Sequence, residues 1–150
     1  MSQMTAVRAT TNELHADAFI HGENTLTVIS EQPFEEVAAR LEGSIAANAM
    51  TIVQMHDLNR LLAGNAIRLS GRCRVYEVLE PRLAVQLVVA DPALAHLLPL
   101  RIAIHEDDGL TTVTAPMPTA FMTEFSHVLS AARLAKSFEA GLHRVLSALR

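Results

Sequence analysis

The sequence predicts an α+β fold: a single mainly antiparallel sheet with helices packed on one face and a long amphipathic helix at the C-terminus. Three observations carry this. Short β-branched runs such as Thr25–Ser30 (TLTVIS) interleave with segments of helical periodicity. Asp107-Asp108-Gly109 sits between two strand-like runs, LRIAIH and LTTVTA, and is a hairpin signal. In the C-terminal segment Leu134, Phe138, Leu142, Val145 and Leu149 share one helical face, while Arg133, Lys136, Glu139, His143 and Arg144 share the other.

The elements follow in order. Residues 1–24 are weakly patterned and read as an arm, with a short extra strand around Asp17 to His21. Residues 25–150 read as one α+β domain, and TLTVIS is its first strand. Pro33 suits the first turn of the helix that follows, and Glu35 and Glu36 lie where the helix dipole favours anions. Phe34, Val37, Ala38, Leu41 and Ile45 form its apolar stripe. MTIVQMH is a strand, and DLNRLLAG a short helix from an Asp57 cap to Gly64. GRCRVYEVLE is a strand, and EPRLAVQLVVA a helix with Pro81 in its first turn. Asp91-Pro92 caps the short helix ALAHLL, which Pro99 ends. The hairpin strands come next, and Pro116 and Pro118 break the pattern before the last helix.

Composition narrows the function classes. A chain of 150 residues, half of them apolar, supports one domain with one core. There is no tryptophan and one tyrosine, so that core is aliphatic. The net charge is −4 and Lys136 is the single lysine, which argues against nucleic acid as a partner. Cys73 is the only cysteine, so no intrachain disulfide forms, as expected of a cytoplasmic protein. The first residues lack the apolar stretch of a secretory signal. No apolar run approaches the ~20 residues of a membrane span, so no membrane partner is expected.

Four pieces of the chain resemble a known family. They are TVISEQPFEEVAARLEGSIAANAMTIV, then RVYEVLEPRLAVQLVVADPALAHLLPLRIAIHEDDG, the strand TTVTAP, and the C-terminal helix. In that order and spacing they resemble the family catalogued as domain of unknown function number 302, over roughly residues 25 to 149. The Asp-Pro…Leu-Pro block is the most specific part. The resemblance implies a small α+β unit, is compatible with a dimer, and carries no activity over. Many relatives resemble Ala-Cys-Asn-Pro where this chain has Glu77-Val78-Leu79-Glu80-Pro81, and Leu-Pro-Cys where it has Leu98-Pro99-Leu100. Any chemistry that those cysteines perform in relatives is absent here.

Strand alternation supplies the candidate site. In LRIAIH, Leu100, Ile102 and Ile104 point one way and Arg101, Ala103 and His105 the other. In RCRVYEV, Arg74 and Tyr76 share a face, opposite Cys73 and Val75. With helices covering the aliphatic face, Arg74, Tyr76, Arg101 and His105 are expected on the open one. Two guanidiniums, a phenol and an imidazole there suit a small anionic ligand, a carboxylate or phosphate. An ordinary solvated sheet face, or one packed on a dimer partner, produces the same alternation.

A second reading assigns His56 and His105, each followed by a carboxylate, to a transition metal or haem. No His-x-x-x-His, Cys-x-x-Cys or HExxH spacing supports it. A third reading is a purely structural dimerisation module. His96 reads as helix surface, Glu106-Asp107-Asp108 as a hairpin tip, and Cys73 as a buried, inert thiol. With no nucleophile elbow and no phosphate-binding glycine loop, an enzyme is less expected than a binding domain without a cofactor. A homodimer is the expected assembly.

Overall fold

The computed structural model describes residues 19–122 and 130–150. Six strands form one sheet: β1 (Phe19–His21), β2 (Thr25–Ser30), β3 (Thr51–Asp57), β4 (Cys73–Leu79), β5 (Leu100–Asp107) and β6 (Leu110–Pro116). Their spatial order is β1-β2-β6-β5-β4-β3, and every neighbouring pair is antiparallel. The helices are α1 (Phe34–Ala47), α2 (Leu58–Ala63), α3 (Pro81–Ala90), α4 (Pro118–Phe121) and α5 (Ala131–Ser147). A single antiparallel sheet with helices, closing on a long C-terminal helix, is the α+β class expected from the sequence. The expected extra strand around Asp17 to His21 falls on β1, with Asp17 outside the described residues.

Local chemistry sets most boundaries. The β5–β6 hairpin turns at Asp108 (φ 49°) and Gly109 (φ 78°), the two left-handed positions that a two-residue type I′ turn requires. Asp57 caps α2 by accepting from the Arg60 amide at 3.2 Å. Glu80 caps α3 through the Leu83 amide. Asp91 accepts from the Ala93 amide at 3.0 Å and starts Pro92–Leu97, which is a 3-10 rather than an α-helix. Pro118 opens α4, and Glu139 of α5 accepts from the amide and hydroxyl of Thr119.

The core lies on one face of the sheet. Leu41 and Ile45 of α1, Leu87 of α3, Leu94 of the 3-10 helix and Phe138 and Leu142 of α5 pack into one cluster. From the sheet, Val28, Tyr76, Val78, Ile102, Ile104 and Val113 enter the same cluster. The α1–α5 crossing is close. The Ser44 hydroxyl donates to the Val145 carbonyl at 2.8 Å, and Gly141 leaves room for the Met50 thioether methyl. Arg40 of α1 donates to the Ala148 and Arg150 carbonyls, which satisfies the exposed end of α5. The short helix α2 contributes no buried residue.

Candidate functional site

The β4–β5 register decides which side chains can act together. Tyr76 pairs with Ile102, and Arg74 with Ile104, so both share the helix-covered face with those isoleucines. Arg101 and His105 point the other way: Arg101 pairs with Glu77, and His105 with Cys73. The expectation that Arg74, Tyr76, Arg101 and His105 share one open face is therefore corrected. They divide two and two across the sheet. The physical reason is that the tyrosine ring and Val78 serve the core, and that parity carries Arg74 with them. Cys73 and Val75, the more aliphatic set by composition, take the other side.

Arg74 and Tyr76 are committed to α1. The Arg74 guanidinium donates to Glu35 at 2.7 Å and lies 5.0 Å over the Phe34 ring. Arg72 shares Glu35 and lies 4.5 Å over the same ring. Hydrogen bonds from Arg72, then from Arg74, hold the Glu35 carboxyl below the usual carboxylate range. The Tyr76 ring is fully buried, and its hydroxyl donates to Glu42 at 2.9 Å. Burial first, and then the bond to Glu42, push the phenol up from 10.0 to about 12. The unfolded chain ionises at the lower value, so folding stability is expected to fall as pH rises from 10.0 to about 12. Tyr76 is the only tyrosine, so tyrosinate absorbance reads its titration without overlap. Tyr76→Phe is expected to abolish that alkaline loss.

The helix-free face carries a different set. Ala103 is its small floor on β5, between Arg101 and His105 on the same strand. On β6, Thr114 pairs with Ala103 and Thr112 with His105. On β2, Thr27 pairs with Thr114. On β4, Val75 pairs with Ala103, and Cys73 with His105. A guanidinium, an imidazole and threonine hydroxyls thus flank Ala103 and Val75 on this face, with the Glu77 carboxylate opposite Arg101. Arg101 is exposed and makes no side-chain hydrogen bond or ion pair with a described residue. Burial lowers the His105 pKa, partly offset by Asp107, so the ring is neutral at pH 7 and offers one N–H donor and one acceptor. Cys73 is half-buried on this face rather than in the core, and burial raises its pKa, with Asp57 adding to the rise. The thiol is thus held protonated.

His56 is on this face as well, opposite Val75, but is already engaged. Its Nε2 lies 2.7 Å from Glu77 Oε1, across the β3–β4 pair. The two histidines of the metal reading thus have different partners, Glu77 for His56 and the Cys73 register position for His105. Among the described residues no group of three or more His, Cys, Asp or Glu side chains is placed to hold a metal ion.

Thr112, Thr114 and Ala103 escaped the sequence-derived candidate set. Their signal was present, because TTVTAP alternates threonines with Val113 and Ala115 as a strand with one buried face does. Glu77 was also missed, for lack of the β3–β4 register that sets it beside His56. His96 is exposed on the 3-10 helix, and Glu106-Asp107 closes β5 at the hairpin. No helix among the described residues is long and apolar enough to cross a membrane.

Comparison with known proteins agrees with this architecture. The model of the family described as domain of unknown function DUF302 matches residues 26–149. A solved structure, the crystal structure of an uncharacterized conserved DUF302 protein from Bacillus stearothermophilus, superposes with a TM-score of 0.76 at 20% identity. The match covers 84% of this chain and 98% of that one, and at this identity it speaks to the fold. No curated protein matches the chain.

Proposed function

Because the chain belongs to the DUF302 family, whose name carries no chemistry, its function has to be read from its own surface, and we propose that it is a small binding domain for an anionic ligand. The ligand sits on the helix-free face of the sheet, over Ala103. Arg101 supplies the charge and a bidentate fork. The hydroxyls of Thr112 and Thr114 and the neutral His105 ring supply uncharged donors. A phosphate or carboxylate matches that donor set, because acceptor oxygens satisfy all four groups.

The observation that carries the reading is the contrast among the arginines. Of the arginines at β4 and β5, Arg72 and Arg74 are both spent on Glu35, whereas Arg101 makes no side-chain hydrogen bond or ion pair with a described residue, its register neighbour Glu77 being bonded to His56. A charge-assisted hydrogen bond contributes about 1.5–3 kcal/mol, so one arginine decides a weak, specific site.

Titration calorimetry with inorganic phosphate and with citrate tests it. Arg101→Ala is expected to weaken binding of whichever anion binds by at least about tenfold, the equivalent of 1.4 kcal/mol. Arg74→Ala is expected to leave that affinity unchanged, since its side chain is across the sheet. Failure of both anions to bind, or binding indifferent to Arg101→Ala, overturns the reading.

A further inference from the structure

We propose that two copies of this chain pair along β3, extending the sheet from six strands to twelve. The inference is independent of the anion site and rests on the edges of the sheet. One edge is β1, three residues long. The other is β3, seven residues long, which among the described residues pairs with β4 alone, so that no described strand bonds the backbone N–H and C=O groups on its outer side.

Protein sheets protect such an edge with charges, proline or a bulge. Residues 51–56 (TIVQMH) contain no Asp, Glu, Lys, Arg or Pro. Of those devices residues 51–56 carry only a bulge, the register shift between Ile52 and Gln54, beyond which Gln54 to Asp57 pair regularly with β4. Among the described residues six large apolar side chains remain exposed, two of them on β3 itself. They are Val53 and Met55 of β3, Leu61 of α2, Ile67 beyond it, and Val85 and Val89 of α3, from 42% to 78% exposed. Val53, Leu79, Val85, Val88 and Leu98 line an apolar groove of about 460 Å³ beside the same edge. An apolar groove flanked by exposed Val53 and Val85 suits an interaction surface.

Charge selects the occupant. The edge is neutral along its length, and each end carries one acid and one base. Asp57 and Arg60 lie at the C-terminal end. Glu80 and Arg82 follow Leu79, the partner of Thr51, at the N-terminal end. A twofold axis through the middle of β3 brings the two ends of one copy against the opposite ends of the other. Each meeting then has balanced charge, although the chain as a whole carries −4. An isologous antiparallel pair satisfies the same backbone groups on both copies and places Val53 and Met55 of each beside the partner's apolar groups. An acidic or basic foreign strand finds no charge to match on this edge.

Sedimentation of the full chain tests the proposal. The wild-type protein is expected at twice the chain mass at micromolar concentration. The double variant Val53→Lys/Met55→Lys is expected at the single-chain mass with an unchanged far-ultraviolet circular dichroism spectrum. Thr114→Lys, on the helix-free face, is expected to remain dimeric. Amide exchange provides a reading without substitutions: exchange across residues 51–57 slows as wild-type concentration rises. A wild-type monomer overturns the proposal. So does a dimer that survives the edge variant, one that only Thr114→Lys dissociates, or β3 exchange indifferent to concentration.

Discussion

Tyr76→Ala is expected to destabilise the protein by about 3–5 kcal/mol, the range for truncating a buried aromatic. The ring is fully buried in the core cluster that also holds Ile102, Val78 and the α1 stripe. For a chain of this length each kcal/mol lowers the melting temperature by roughly 2–4 °C. A loss of roughly 6–20 °C is thus expected in a thermal melt followed by circular dichroism. Arg101→Ala, on the exposed side of the neighbouring strand, is expected to change stability by about 0.5 kcal/mol or less. Similar melting temperatures for the two variants would refute the assignment of faces. The comparison also separates scaffold from site: the tyrosine variant loses stability, and the arginine variant loses only anion affinity.

Gly71→Ala is the second large effect, expected at about 2–4 kcal/mol. Gly71 has φ +83°, a conformation that side chains rarely adopt, and a Cβ there would lie 2.4 Å from the Glu106 carbonyl oxygen. The atom it meets is backbone rather than the far end of a flexible side chain, so it cannot swing aside. The next residue, Arg72, accepts the Glu106 amide at 3.0 Å, so any shift opens the β4–β5 ladder at the end that holds Cys73 and His105. Gly109 provides an internal control. It has φ +78° and no neighbour within 4 Å of an added Cβ. Gly109→Ala is expected to cost only the conformational part, about 1–2 kcal/mol. Denaturant unfolding of the two variants measures the difference. Equal costs would show that the close approach at Glu106 carries no weight.

How legible this protein is from sequence differs between its helices and its strand faces. The α1 stripe of Phe34, Val37, Leu41 and Ile45 and the α5 stripe of Leu134, Phe138, Leu142 and Val145 are buried as their spacing predicts. A helix carries its apolar face in a period of about 3.6 residues that no partner needs to confirm. The hairpin at Asp108-Gly109 was legible for a similar reason, since few residues accept two consecutive left-handed positions. Alternation also sorted each strand into its two sets. In β5 it identified the buried set outright, because Leu100, Ile102 and Ile104 oppose Arg101, Ala103 and His105. In β4 both sets are mixed, Arg74, Tyr76 and Val78 against Cys73, Val75 and Glu77, and composition favoured the wrong one.

What the sequence determined by itself was therefore local: which segments are strands, which are helices, where the chain turns, and that an aliphatic core would bind them into one α+β unit. Those follow from periodicities and backbone preferences that neighbouring residues settle among themselves. The tertiary structure alone decided which side of β4 meets the helices, and with it the separation of Arg74 and Tyr76 from Arg101 and His105. A strand's two faces are equivalent until its register with a neighbour is set. Here the register places Tyr76 beside Ile102, Glu42 takes the phenol, and Glu35 takes Arg74 and Arg72. Pairing order decided the rest, because it left β3 at the margin of the described sheet and set Arg101 opposite a Glu77 that bonds His56 instead.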